Sequence, residues 1–295
     1  MQIRLRYVSA AMVFCLLVGC GSSNAPTALT PSDAQVATTG SGSPPTSLSQ
    51  SAFGAAATTP SDGAAARPDP NATLPPGAAL PTDLECAGRV VRTKEIRPAN
   101  TTFNETRGRQ KGISEKWLDR VTGDYSGTTD EILQWTACKW GIDVDIVRAQ
   151  AAKESYWKMG TVSDFSDDPT VCPPGHPLGA DGKKGQCPES VGIIQVRYQY
   201  SGPPSGLPTW PEAEKSTAYN LDFAYANWRS CYEGDKAWLN DVDRGQQYAA
   251  GDAWGCVGVW FSGRWYTPAA KEYIAAVQDN AKSRIWTTSS FINAR

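Results

Sequence analysis

Residues 143–157 read DVDIVRAQAAKESYW. As one helix starting at Asp143, the segment places Val144, Val147, Ala151 and Glu154 at i, i+3, i+7 and i+10, along a single apolar stripe. A carboxylate on that stripe faces inward. Loss of solvent disfavours its ionised form and raises its pKa, which suits a group that delivers a proton near neutral pH. The competing reading is a surface ion pair with Lys158, four residues on, worth roughly 0.2–0.5 kcal/mol.

The flanking sequence reads as further helix. Thr129 to Trp140 carries Ile132, Leu133, Trp135, Thr136 and Trp140 on one side, with Thr128 or Thr129 as N-cap and Gly141 as the stop. Residues 158–191 read as a long functional loop or lid. A third helix is expected from Ser216 to Tyr232, ended by Gly234. Asp243 to Phe261 reads as a helix interrupted by glycines. Thr267-Pro268 opens a last helix running to about Ile285, with Ala269, Tyr273, Ala276 and Val277 inside. Residues 83–128 show only a possible short helix at Ser114 to Val121. The fold class expected is mainly α.

Upstream, Arg4 and Arg6 precede an apolar run from Val8 to Val18 that is too short to span a bilayer. The run ends Leu17-Val18-Gly19-Cys20. This resembles a bacterial lipobox, which implies cleavage of the signal segment just before Cys20, lipidation of Cys20 and attachment to the cell envelope by acyl chains. Residues 21–82 are rich in Ala, Thr, Ser and Pro, with Phe53 their sole aromatic, and read as a disordered tether. Residues 83–295 suffice for one domain, and every Trp lies between Trp117 and Trp286.

The chain holds 28 Lys and Arg against 30 Asp and Glu, a balance of −2 that argues against a nucleic-acid partner. Cys86, Cys138, Cys172, Cys187, Cys231 and Cys256 form an even set in an exported chain and read as disulfides. Of fifteen pairings, proximity in the sequence favours Cys172–Cys187 and Cys231–Cys256, leaving Cys86–Cys138. No close Cys/His pairs suggest zinc, and no metal or cofactor is expected. His176 is the only His and reads as a solvated loop residue, which argues against a His-based triad. Asp164, Asp167 and Asp168 read as a solvated acidic turn.

In order along the chain stand Glu154-Ser155, Ser163, Gly192-Ile193-Ile194-Gln195-Val196, Tyr219-Asn220-Leu221 and Tyr273 in Tyr273-Ile274-Ala275-Ala276-Val277. From about 129 to 280 this pattern resembles the lysozyme-like catalytic domain of soluble lytic transglycosylases, which has a Glu-Ser helix end, a nearby Ser, a Gly-x-x-Gln motif, an Asn-bearing helix and a late Tyr. Two departures stand out. About twenty extra residues, bounded by Cys172 and Cys187, lie between Ser163 and Gly192, where they would border the substrate groove. Trp260-Phe261-Ser262-Gly263 stands where the family has Tyr-Asn-Ala-Gly, so a hydroxyl near the acid is lost unless Tyr266 or Tyr273 supplies it.

The resemblance implies a monomer that cleaves the β-1,4 bond between N-acetylmuramic acid and N-acetylglucosamine in peptidoglycan strands. Glu154 would protonate the leaving oxygen, then take a proton from the sugar's own C6 hydroxyl as it closes a 1,6-anhydro ring. No second carboxylate is needed to position water. Gln195 and Ser163 would hydrogen-bond near the acid or the substrate, Asn220 would bind the sugar or brace the site, Trp260 and Tyr266 would stack on sugar rings, and Ser155 and Tyr273 would complete the substrate site. A hydrolytic muramidase on the same fold would instead recruit one of the three aspartates as base, and a non-catalytic wall-binding lipoprotein would only hold glycan.

Overall fold

The computed structural model describes residues 72–109, 116–198 and 210–294. The signal segment, Cys20 and the tether up to residue 71 lie outside the described residues. The described part is mainly α, as expected. Its elements are α1 (Asp83–Arg89), α2 (Thr101–Glu105), α3 (Thr129–Trp140), α4 (Val144–Ser155), β1 (Val162–Ser166), β2 (Cys187–Val191), β3 (Val196–Arg197), α5 (Glu212–Lys215), α6 (Thr217–Tyr232), α7 (Ala253–Ser262), α8 (Pro268–Ser283) and α9 (Ser289–Ile292). None of these helices is long and apolar enough to cross a membrane.

α6 lies at the centre. Every residue of it except Asn227 is buried, so it is enclosed on all sides instead of presenting one apolar stripe. α3 and α7 pack against it, while α4 packs against α3 and α8. α3 starts where expected: Thr128 Oγ1 accepts from the Glu131 backbone N–H, and the Glu131 carboxylate accepts from the Thr128 N–H. Gly141, in the left-handed region at φ 60°, ends it. Asp143 caps α4 through the Asp145 N–H. α4 stops at Ser155 because Tyr156 and Trp157 turn to φ 55° and 61°. Lys158 therefore lies beyond the helix, and the i, i+4 ion-pair geometry with Glu154 does not arise.

Several boundaries differ from expectation. Residues 158–191, read as a loop, contain two strands of a three-stranded antiparallel sheet of order β1-β2-β3. Val162 pairs with Val191, and Ser190 with Arg197. All five residues of β2 are buried, so no alternation announces it. The stretch from Asp243 is not one helix. A short 3-10 turn at Val242–Arg244 ends at Gly245, and α7 begins only at Ala253 behind the cap Asp252. The inner face of α8 is Ala270, Tyr273, Ile274 and Val277, an i, i+3, i+4, i+7 set, in place of Ala269 and Ala276. From Ser114 to Val121 the described residues form a 3-10 turn at Leu118–Arg120.

The three disulfides are Cys86–Cys138, Cys172–Cys187 and Cys231–Cys256, the favoured set. They tie α1 to α3, close the insertion, and tie α6 to α7.

The end of the expected tether is part of the fold. The Leu74 N–H donates to Gly141 O at 2.9 Å, and the fully buried Arg229 donates to Leu74 O and Pro75 O at 3.0 and 2.8 Å. The Gly77 N–H donates to Glu233. Shortening the protein to 83–295 removes these partners and leaves a buried guanidinium short of acceptors. The expected result is a loss of about 2–4 kcal/mol relative to a chain starting at residue 72, measured by urea denaturation.

Candidate active site

Where α4 ends, Glu154 reaches a groove of about 650 Å³ lined also by Ser163, Asp164, Gln195, Asn227 and Trp260. Glu154 is half-buried. Its Oε1 accepts a hydrogen bond from the Tyr273 hydroxyl of α8. Desolvation raises its pKa to about 7; the Tyr273 hydrogen bond opposes the rise, the nearby negative charge of Asp164 adds to it, and Lys153 opposes it weakly. The inward stripe read from the sequence is thus a wall between core and groove, and its one carboxylate is poised near neutrality.

The backbone around the acid is held in sparsely populated conformations. Tyr156, Trp157, Asp164 and Gln195 all have φ between 53° and 61°, each at a cost on the order of 1 kcal/mol or more. Dedicated bonds hold the two that follow Glu154. Arg97 Nε donates to Tyr156 O at 2.9 Å, and Asn100 Nδ2 to Trp157 O at 2.7 Å. These clamps come from the segment 83–128, which carries no readable periodicity.

Opposite α4, the turn Gly192–Gln195 is pinned from beneath. Gln195 Nε2 donates to Gly192 O at 2.6 Å and Thr161 O at 3.1 Å, leaving Oε1 to accept from Ser163 Oγ at 2.5 Å. Ser163 and Gln195 line the groove as a fixed pair. Trp260 lines it too, and its Nε1 donates to Ile194 O at 3.0 Å.

Two expected substrate contacts, Ser155 and Tyr266, are corrected, and Asn220 takes the bracing role. Asn220 is fully buried. Its Nδ2 donates to Val191 O and Ala213 O, and its Oδ1 accepts from the Ile194 N–H, so it braces the turn and does not face the groove. Ser155 is buried and donates to Ile193 O at 2.7 Å, joining α4 to the same turn. Tyr266 points to Asp252, the α7 cap, at 2.9 Å; burial, then that carboxylate, push its pKa up to about 12. The hydroxyl beside the acid is that of Tyr273, against which Phe261 stacks at 4.7 Å.

Gly192, at φ 88°, has to be glycine, because an added Cβ would sit 2.2 Å from Asn220 Nδ2. Gly192→Ala is expected to cost on the order of 2–4 kcal/mol of stability, read by denaturant titration.

The groove also has residues that sequence reading missed. Asn227 is the single unburied residue of α6 and faces the groove. Lys236, Trp238 and Arg244 line it from the segment between α6 and α7, with the Arg244 guanidinium 5.4 Å from the Trp238 ring. Trp238 is 42% exposed, and no local sequence pattern announces that exposure. Of the three aspartates, only Asp164 lines the groove, where its Oδ2 accepts from Ser190 Oγ. Asp168 binds Thr170 on the surface. The disulfide-closed insertion contributes no lining residue. It docks instead on α5 through His176, whose ring nitrogens sit 3.0 Å from Asp181 and 2.7 Å from Glu214. Burial works to lower the His176 pKa, but these two hydrogen bonds outweigh it and the net shift is upward. His176 is a clasp, not a solvated loop residue.

Among the described residues no cluster of three or more His, Cys, Asp or Glu is arranged to hold a metal ion. No family model, curated protein or solved structure matches the chain.

Proposed function

We propose that this protein is a peptidoglycan lytic transglycosylase with a lysozyme-like domain, acting at the bacterial cell envelope and anchored through lipidated Cys20. The observation that carries the reading is Glu154: a carboxyl with a pKa raised to about 7, hydrogen-bonded by Tyr273 and open to a groove lined by Trp260 and Trp238. At neutral pH such a group is present in both protonation states. It can therefore protonate a glycosidic oxygen and then, as carboxylate, accept the proton of the sugar's C6 hydroxyl. The aromatic rings suit the apolar faces of sugars. Gln195, Ser163 and Asn227 offer hydrogen bonds to hydroxyl and acetamido groups. The substrate expected is the glycan strand, the product a 1,6-anhydro end, and the acting unit a monomer.

A second reading rests on Asp164, which shares the groove and is near enough to Glu154 to raise its pKa. In a muramidase it would be the base that activates water. Both readings require turnover. Incubating the full chain with purified peptidoglycan tests them together: release of soluble fragments supports an enzyme, whereas tight pelleting with the wall and no release contradicts both.

A further inference from the structure

One turn before Glu154 on α4 stands Gln150, an amide only 2% exposed that no step proposed above uses. Its Oε1 accepts from the hydroxyl of Tyr225 on α6 at 3.0 Å. The same amide acts on the hydroxyl of Tyr273, favouring negative charge on its oxygen. Tyr273 in turn donates to Glu154 Oε1. Both tyrosines are buried. Three helices thus meet in one closed line of polar groups inside an apolar core.

The direction of that line follows from proton counting. A tyrosine hydroxyl has one proton. With Glu154 ionised, Tyr273 must give its proton to the carboxylate, so it can only accept from Gln150. Gln150 must then turn its amide N–H toward Tyr273 and its oxygen toward Tyr225, which donates. The Tyr225 and Tyr273 hydrogen bonds and the Gln150 amide between them all point toward Glu154, each polarising the next. When Glu154 is protonated the carboxyl can itself donate, and this alignment is no longer required. The line therefore stabilises the carboxylate selectively.

We infer that Gln150 and Tyr225 are positioning residues that set the proton affinity of Glu154 by acting through Tyr273. They balance the burial that disfavours the ionised form, so that one carboxyl serves as acid and then as base. The other charged groups near Glu154 are Asp164 on β1 and Lys153 on its own helix. Neither belongs to the line, and both stay in place when it is cut. The functional consequence rests on the transglycosylase reading; the effect on proton affinity does not.

The test is a carbon-detected NMR titration of the Glu154 carboxyl in the full-length protein, with Tyr225→Phe, Gln150→Met and Tyr273→Phe. Tyr225→Phe removes one oxygen, is expected to fold as the parent does, and decides the matter if Gln150→Met does not fold. The expected result is a rise in the Glu154 pKa of roughly half a unit, about a threefold change in proton affinity, for Tyr225→Phe. Gln150→Met should give at least that rise, and Tyr273→Phe the largest. An unshifted Glu154 titration in Tyr225→Phe and Gln150→Met would overturn the inference. Shifts as expected in a protein without wall-degrading activity would keep the inference and remove the enzymatic reading.

Discussion

Glu154→Gln is expected to abolish release of fragments from peptidoglycan while leaving binding to the wall intact. A glutamine keeps the size of the side chain and an acceptor for Tyr273, but it has no proton to give and no charge with which to take one. General acid–base catalysis typically supplies 10²–10⁴-fold. A single group that serves both steps belongs at the upper end, so activity should fall by about 10³-fold or more. The same change has an opposite effect on stability. The folded protein binds the Glu154 proton more tightly than the unfolded chain does, since its pKa is raised from 4.5 to about 7. Between those pH values the folded state holds more protons, and stability falls as pH rises. Above pH 7 the cost is fully present, on the order of 3 kcal/mol. Glu154→Gln should therefore be more stable than the parent at pH 8 and about equal to it near pH 4, a trade of stability for chemistry common at active sites. Wall digestion and thermal melts at the two pH values check both halves. Wild-type digestion by Glu154→Gln would remove the acid from the mechanism.

Asp222→Ala is expected to be the most destabilising single change. Asp222, fully buried on α6, accepts from Lys139 Nζ at 2.7 Å, Trp140 Nε1 at 2.7 Å, and the Thr122 and Gly123 N–H groups at 2.8 and 2.9 Å. Lys139 is equally buried. Its remaining partners are Asp83, which is partly exposed, and the Thr122 hydroxyl. Removing the carboxylate leaves an ammonium in the core with part of its compensation gone, together with an indole and two amide donors that have lost their acceptor. Breaking a buried pair from one side costs about 3–5 kcal/mol, a large share of the 5–15 kcal/mol that holds a typical domain. Urea denaturation should show the loss, or the protein should fail to accumulate folded. A change under about 1 kcal/mol would mean that water reaches Lys139.

How much was legible follows from where each signal resides. α3 and α4 carry their own caps, Thr128 with Glu131 and Asp143, and a stripe of period 3.6, so they were readable locally. Glu154 was found because it interrupts such a stripe. α6 was placed but its groove-facing residue was not. A helix buried all round has no amphipathic contrast to separate Asn220 from Asn227. The sheet was missed because β2 is wholly buried and begins Cys187-Pro188. Tyr273 and Glu154 are 119 residues apart, and Arg97 meets Ile292 across 195. No local pattern encodes such contacts. The same holds for residues 72–82, whose composition reads as tether. What fixes them is a set of hydrogen bonds to Arg229, Gly141 and Glu233.

In the proposed reaction one carboxyl, Glu154, breaks the glycan without water. The most direct measurement is the mass of the fragments that the full-length protein releases from purified peptidoglycan. The expected fragments carry 1,6-anhydro ends, lighter than hydrolytic ends by one water, about 18 Da. Reducing ends carrying oxygen from solvent would contradict that reaction and assign Asp164 the role of base.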